Sequence, residues 1–374
     1  MNKELIRSFR ELYQNRNELL LKWKKQGKKV IGYFCTYTPE EIIYAAGMLP
    51  FRITADPVST TLADAYLPSF ICPFSRSCFD LALRGGYKNV DGYVSAYTCD
   101  TIRNLLWLWK RHIPTQYLDF ISFPSGTTEK ALDFFLNELG RFKEGLEKFC
   151  GTEISNQSLF RAIEVYNENR TLLRKVYDLR KSDPPLVSGT EALEIVRSAT
   201  VVPKEEHTKL LKQFISEVKD RDDVPKGGVR MLVSGPFIQD ISLVETIEGS
   251  GGSIVADDLC LGSRYFWERV DINADPLKAI AKRYLGRVKC PCRHPPEDRL
   301  KFITEMIKEF KVEGVIFILQ KYCDTHFFDF PFIEEKLKED DIPALLIEVE
   351  HLTPVGAIKT RVEAFIEMLT GMKA

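Results

Sequence analysis

Short apolar runs bounded by turn residues alternate with longer stretches whose apolar positions recur every three or four residues. The first pattern reads as buried strands, the second as helices that bury one face. Leu5, Phe9 and Leu12 place a helix over residues 1–25. Residues 29–35 (KVIGYFC), 49–54 (LPFRIT), 92–99 (GYVSAYTC) and 117–123 read as four strands. Between the first two, Thr38 suits a helix N-cap, Pro39 the first helical position, and Glu40 and Glu41 the positive end of the helix dipole. A helix over 100–112 follows the third strand, with Asp100 as its cap. Strands and helices alternating at these lengths predict a parallel sheet.

Residues 126–222 carry a different pattern. Leu132, Phe135, Leu139, Phe142, Leu146 and Phe149 form a helical stripe that ends at Cys150, itself read as core. A second helix is expected over 159–179, before Pro184-Pro185. Ser188 and Glu191 have capping-box spacing and start a third. A fourth is expected over 207–219. The strand–helix pattern then restarts, with strands over 229–234, 253–258, 312–319 and 344–350 and a last helix over 355–372. The expected fold class is α/β: two parallel four-stranded domains, Rossmann-like or flavodoxin-like, joined by a helical connector. The divisions fall at 1–27 for the N-terminal helix, 28–125 for the first α/β domain, 126–225 for the connector and 226–374 for the second α/β domain.

Composition narrows the function classes. With 52 basic and 53 acidic residues the formal net charge is −1, which argues against a nucleic-acid footprint. No apolar run reaches membrane-spanning length and the start of the chain carries no apolar signal core, so a cytoplasmic protein without a membrane partner is expected. No segment fits the phosphate-cradling G-x4-G-K-[S/T] loop. Gly27-Lys28 lacks a glycine five positions before Gly27 and a Ser or Thr after Lys28.

The nine cysteines carry the chemistry. In a reducing compartment they point to metal binding, catalysis or burial rather than disulfides. Ligands of open parallel sheets bind outside the carboxyl ends of the strands, and Cys35, Cys99, Cys260 and Cys323 all fall there. Cys72 and the Cys290-Pro291-Cys292 turn lie in connecting segments. Neither the paired hooks of structural zinc sites nor a ferredoxin C-x2-C-x2-C run is present. Single thiolates gathered from distant strands suit an iron–sulfur cluster with an open iron, and helix N-termini after Cys35 and Cys99 would favour its reduced state.

Five segments carry a resemblance: 32–50 (GYFCTYTPEEIIYAAGMLP), 72–80 (CPFSRSCFD), 97–104 (YTCDTIRN), 255–266 (VADDLCLGSRYF) and 314–324 (GVIFILQKYCD). Together they resemble the 2-hydroxyacyl-CoA dehydratase/benzoyl-CoA reductase family over nearly the whole chain. The resemblance implies two α/β domains with a cluster in the cleft between them. It implies a cubane held by three cysteines per subunit, at the matching positions Cys72, Cys99 and Cys323. It also implies a separate ATP-hydrolysing iron–sulfur activator that delivers low-potential electrons. Dehydratases of the family act through a ketyl radical on 2-hydroxyacyl-CoA, and benzoyl-CoA reductases reduce the ring. Double-cubane cluster proteins are homodimers that reduce small molecules. Cys35, Cys260 and Cys292, with Cys290 as the alternative to Cys292, form a second set of three, and this cysteine pattern is closest to the double-cubane branch. Cys78 departs from it and resembles the dehydratase side, as a further candidate ligand.

The expected function is therefore an ATP-dependent iron–sulfur oxidoreductase working at a double-cubane [8Fe-9S] cluster as a homodimer. The alternative is the [4Fe-4S] small subunit of a 2-hydroxyacyl-CoA dehydratase or benzoyl-CoA reductase, heterodimeric with a related subunit. A non-catalytic electron-transfer subunit is the third. His326, near Cys323, is a candidate proton donor. Arg52, Arg103 and Arg264 are candidates for a CoA phosphate, and Gly235 and Gly262 for close approach to a ligand. Trp107 and Trp109 are expected in a core or interface. His112, His207, His294 and His351 sit in no motif.

Overall fold

Eight strands form two sheets of four. In a computed structural model describing residues 2–55, 60–221, 223–287, 290–350 and 353–372, β1 (Val30–Tyr33), β2 (Leu49–Arg52), β3 (Gly92–Ala96) and β4 (Tyr117–Ile121) pair in the order β2-β1-β3-β4. The second sheet, of β5 (Val229–Gly235), β6 (Gly252–Leu259), β7 (Gly314–Gln320) and β8 (Ala344–Val349), runs β6-β5-β7-β8. Every pairing is parallel. The expected α/β class with two four-stranded parallel sheets is the observed one. Strands buried on both faces explain the unbroken apolar runs: β1, β3, β5, β6 and β7 are buried at every position, while β4 and β8, at the edges, are half-buried.

The order fixes where a ligand can sit. The chain leaves β1 toward one side of its sheet and returns on the other at β3, and does the same between β5 and β7. The crevices outside the carboxyl ends at these two reversals are the natural binding sites.

Helices fill both faces. Glu129–Cys150 lays Leu132, Phe135, Leu139, Phe142 and Leu146 on a core shared with Ile31, Tyr33 and Val94 of the first sheet. Ala279, Ile280 and Tyr284, from the later helix Pro276–Gly286, join the same core. Helix Gly189–Ser198 begins with the expected capping box, Ser188 and Glu191 each bonding the other's backbone, and packs Ile195 with Leu232 and Val255 of the second sheet.

The N-terminal segment is two helices, Asn2–Gln14 and Arg16–Lys25, broken at Asn15. Leu5, Ile6 and Phe9 pack with helices Gly189–Ser198 and Lys204–Glu217, whereas Tyr13 and Leu20 join the core of the first sheet. One straight helix could not serve both surfaces. The expected caps also move. Pro39, not Thr38, is the cap residue of Glu40–Ala45, and Thr38 is fully buried with its hydroxyl unpartnered. Asp100 is the first helical residue of Asp100–His112, because Cys99 takes the cap position. Trp109 lies in the core and Trp107 is 64% exposed. Among the described residues no helix is long and apolar enough to cross a membrane.

Candidate metal centre

The carboxyl ends of the two sheets meet at one cavity of about 210 Å³. Seven cysteines line it: Cys35 beyond β1, Cys99 beyond β3, Cys260 beyond β6, Cys323 beyond β7, and Cys72, Cys290 and Cys292 from connecting segments. Phe34, Phe74, Ile102 and Phe237 supply apolar wall, and Arg52, Arg264, Gln320 and His326 supply polar groups.

Three of these thiols share a local design. Cys72, Cys99 and Cys323 are the N-cap residues of helices Pro73–Leu83, Asp100–His112 and Asp324–Glu339. The positive ends of three helix dipoles therefore converge on the cavity. Burial pushes all three thiols up, Cys323 to about 12. The N–H groups of Phe74 and Ser75, of Ile102 and of His326 oppose that rise, although none of the sulfurs makes a regular capping hydrogen bond. Thiols so placed stay protonated until a bound metal cation displaces the proton, which is released to solvent.

Cys35 lies in the turn between β1 and the following helix, ahead of the helix start. Its helix begins only at Glu40, and the sulfur instead accepts from Thr98 Oγ1 at 3.3 Å. Burial and then the neighbouring Cys260 raise its thiol. Cys260 Sγ lies 3.8 Å from Arg52 Nη2 and 3.9 Å from Thr36 Oγ1. A side-chain hydrogen bond between Cys290 and Cys292 draws the Cys290 thiol down and pushes Cys292 up.

The cysteines are neighbours across the cavity: Cys72, Cys323 and Cys35 all act on Cys99, Cys260 acts on Cys35, and Cys290, Cys35 and Cys99 act on Cys292. Among the described residues no three His, Cys, Asp or Glu side chains converge closely enough to hold a single metal ion. Convergent thiols beside buried guanidinium groups can instead hold a larger, anionic metal–sulfur group.

The sequence matches the 2-hydroxyglutaryl-CoA dehydratase D-component profile over residues 35–369. The chain belongs to that family. A benzoyl-CoA reductase subunit of Thauera aromatica is 31% identical over 86% of each chain. The (R)-phenyllactyl-CoA dehydratase beta subunit of Clostridium sporogenes is 29% identical and the (R)-2-hydroxyglutaryl-CoA dehydratase beta subunit of Acidaminococcus fermentans 28%. Each of these two matches covers 98% of this chain and 99% of the relative.

The dehydratase-family match spans all seven cavity cysteines, starting at Cys35 itself. Cys78 lies outside the cavity, fully buried in the core of the first sheet, where burial raises its thiol. Cys150 ends its helix and bonds backbone carbonyls of Glu147 and Thr152. His326 lines the cavity, but it is 3% exposed, and burial, with Arg299 and Arg264, keeps its imidazole neutral. Arg103 is on the surface, paired with Asp100 at 3.3 Å. Arg52 and Arg264 are buried in the cavity wall, which separates them from any surface phosphate. Gly235 and Gly262 make close approaches, but to the carbonyl of Ile318 and the carboxylate of Asp257. His112 stacks on Tyr66 and His294 is exposed. His351 lies outside the described residues.

Two cavity residues carry no motif that marks them in the sequence. Thr98 supports Cys35 from the adjacent strand end. Gln320 closes β7, donating through Nε2 to Phe237 O at 2.7 Å and accepting at Oε1 from Phe74 N at 3.3 Å and Cys72 Sγ at 3.7 Å. The signal for Gln320 was an amide at the end of an otherwise apolar strand, three residues before Cys323.

Proposed function

We propose that this chain is the iron–sulfur catalytic component of an ATP-dependent low-potential reductase. It takes electrons from a separate ATP-hydrolysing activator and reduces small molecules at a double-cubane [8Fe-9S] cluster. The observation that carries this reading is the one cavity lined by seven cysteines, a larger donor set than one cubane uses. Cys72, Cys99 and Cys323 would hold one half, and Cys35, Cys260 and Cys292, or Cys290 in its place, the other. The donor chemistry fits the group. All candidate ligands are sulfur, and the buried cations of Arg52 and Arg264 favour an anion. Bound there, the cluster would supply low-potential electrons and, where an iron lacks a protein ligand, Lewis acidity. The chain itself contributes the thiolates, three helix N-termini and an apolar wall that excludes water.

The relatives support a second reading: the [4Fe-4S] small subunit of a heteromeric 2-hydroxyacyl-CoA dehydratase or benzoyl-CoA reductase. The three relatives above bear the names of subunits of such enzymes. Only Cys72, Cys99 and Cys323 would then be ligands. Iron and acid-labile sulfide, measured on protein purified without oxygen, separate the two. About eight irons per chain, falling sharply on Cys35→Ala or Cys260→Ala, support the double cubane. About four, indifferent to those changes and lost on Cys99→Ala, overturn it in favour of the small subunit.

A further inference from the structure

Among the described residues, the cavity wall contains a cation with no carboxylate partner. Arg52 closes β2 beside Tyr33 of β1 and is 2% exposed. Its guanidinium lies over the rings of Tyr33 and Phe74, at 5.7 and 6.0 Å. Nη2 reaches Cys260 Sγ at 3.8 Å, while Nε and Nη1 are buried without an acceptor. Among the described residues no carboxylate pairs with it. Other buried arginines have oxygen acceptors: Arg170 lies against Glu41, Arg180 against Asp257 and Arg299 against Asp258 and Asp329, while Arg283 and Arg287 donate to backbone carbonyls.

A buried charge left unpaired is strongly destabilising, because the desolvation penalty is not repaid. The groups beside it that turn anionic on holding a metal–sulfur group are the thiols of Cys260 and Cys35. Thiolates bound to a metal–sulfur group are anionic, and such a group gains a further negative charge on reduction. Charge and hydrogen bonding around the sulfurs are among the terms that set cluster potentials.

We infer that Arg52 is the charge-compensating residue of a cluster held on the Cys35 and Cys260 side, and that its cation raises that cluster's reduction potential. The inference rests on the double-cubane reading and assigns one residue of the chain to the tuning of one half of the site. Its sulfur contact is Cys260, whereas Cys72, Cys99 and Cys323 stand at the N-termini of three helices.

The test compares wild type, Arg52→Gln and Arg52→Lys, each as the full chain purified without oxygen. Iron and sulfide are counted and the reduction midpoint is followed by electron paramagnetic resonance during redox titration. We expect Arg52→Gln to move a midpoint to more negative potential and Arg52→Lys, which keeps the charge, to stay near wild type. If Arg52→Gln folds by circular dichroism but loses iron, full iron in Arg52→Lys equally supports charge compensation, and equal loss in both overturns it. An unchanged midpoint in Arg52→Gln, or an equal shift in Arg52→Lys, also overturns it. The underlying reading fails separately: wild-type iron that survives Cys35→Ala and Cys260→Ala removes the cluster from this side. Iron that depends on those cysteines, with a midpoint indifferent to Arg52→Gln, removes the inference alone.

Discussion

Cys78 and Cys99 separate two uses of one side chain. Cys78 fills core space with Phe79 and Trp109, fully buried. Cys99 stands at the cavity before a helix N-terminus. Cys78→Ala should therefore leave the iron content unchanged and cost about 1 kcal/mol of stability, whereas Cys99→Ala should lose iron. An iron assay beside urea denaturation of both variants decides this, and loss of iron from Cys78→Ala would return that thiol to the ligand set. His207 makes a residue-scale prediction about pH. Its ring is fully buried, accepts from Asn169 at Nδ1 (2.9 Å) and reaches Ile195 O and Ser198 Oγ through Nε2. Burial, with Lys204 adding to it, lowers its pKa from 6.5 to about 3. The unfolded chain takes up a proton below pH 6.5 that the folded chain refuses. Stability from this group is therefore complete above 6.5 and falls by about 1.4 kcal/mol per pH unit toward 3. Denaturation at pH 7.5 and 5.5 should show wild type losing about 1.4 kcal/mol more than His207→Gln. Parallel losses would refute it.

At the scale of the element, cysteine is a weak choice for a helix cap, since Ser, Asp, Asn and Thr satisfy the free N–H groups better. Three long helices nonetheless start at cysteines that line the cavity. Cys99, with extended backbone at φ −141° and ψ 156°, suits a serine cap without rearrangement. Cys99→Ser should stabilise the iron-free chain by up to about 1 kcal/mol while lowering the iron bound by the whole protein. Thermal melts of iron-depleted protein and iron assays measure the two effects, and a variant that loses stability would deny the trade. Much of this layer was legible. Apolar runs located all eight strands, because strands buried on both faces leave a continuous signal, and Ser188 with Glu191 marked a cap correctly. Thr38 and Asp100 misled, because tertiary packing buried Thr38 and the cap position beside Asp100 is taken by Cys99. The break at Asn15 was hidden for a similar reason: the two halves of the N-terminal stripe pack on different cores, and periodicity does not report which core a face meets. The strand order could not be read, since pairing is decided by contacts distant in sequence. Strand ends located four of the cavity cysteines, but the closure of Cys72, Cys290 and Cys292 onto the same cavity is made by connecting segments whose path carries no local pattern.

Across the whole molecule, the cavity needs both sheets held at one place, and a buried ionic network ties them together. Glu41, at the start of the helix after β1, accepts from Arg170 Nη2 at 2.5 Å and from Tyr284 OH at 2.9 Å. Glu40 beside it faces Lys204 Nζ at 3.3 Å and Tyr265 OH at 3.1 Å. The partners come from helices Asn156–Asp178, Lys204–Glu217, Ser263–Phe266 and Pro276–Gly286, so segments more than 200 residues apart close on two adjacent carboxylates. Burial pushes the Glu41 carboxyl up, but Arg170 and Arg283 more than offset it and hold it below the usual range. Removing one member leaves an unpaired charge in the interior. Arg170→Met should therefore destabilise the protein by about 3–5 kcal/mol at pH 7, and adding Glu41→Leu should recover most of that loss. The sign of the pH dependence follows from the depressed carboxyl. Its contribution is complete above its unfolded pKa of about 4.3 and is lost as pH falls through the lower folded value. The gap between wild type and Arg170→Met should thus narrow as pH falls, beginning at the raised carboxyl pKa that burial gives Glu41 once Arg170 is gone and ending at the depressed wild-type value. A double-mutant cycle by chemical denaturation measures the coupling. A single variant that costs under about 1 kcal/mol, or a double variant less stable than the single, would show that the pair does not join the two halves in the way its geometry implies.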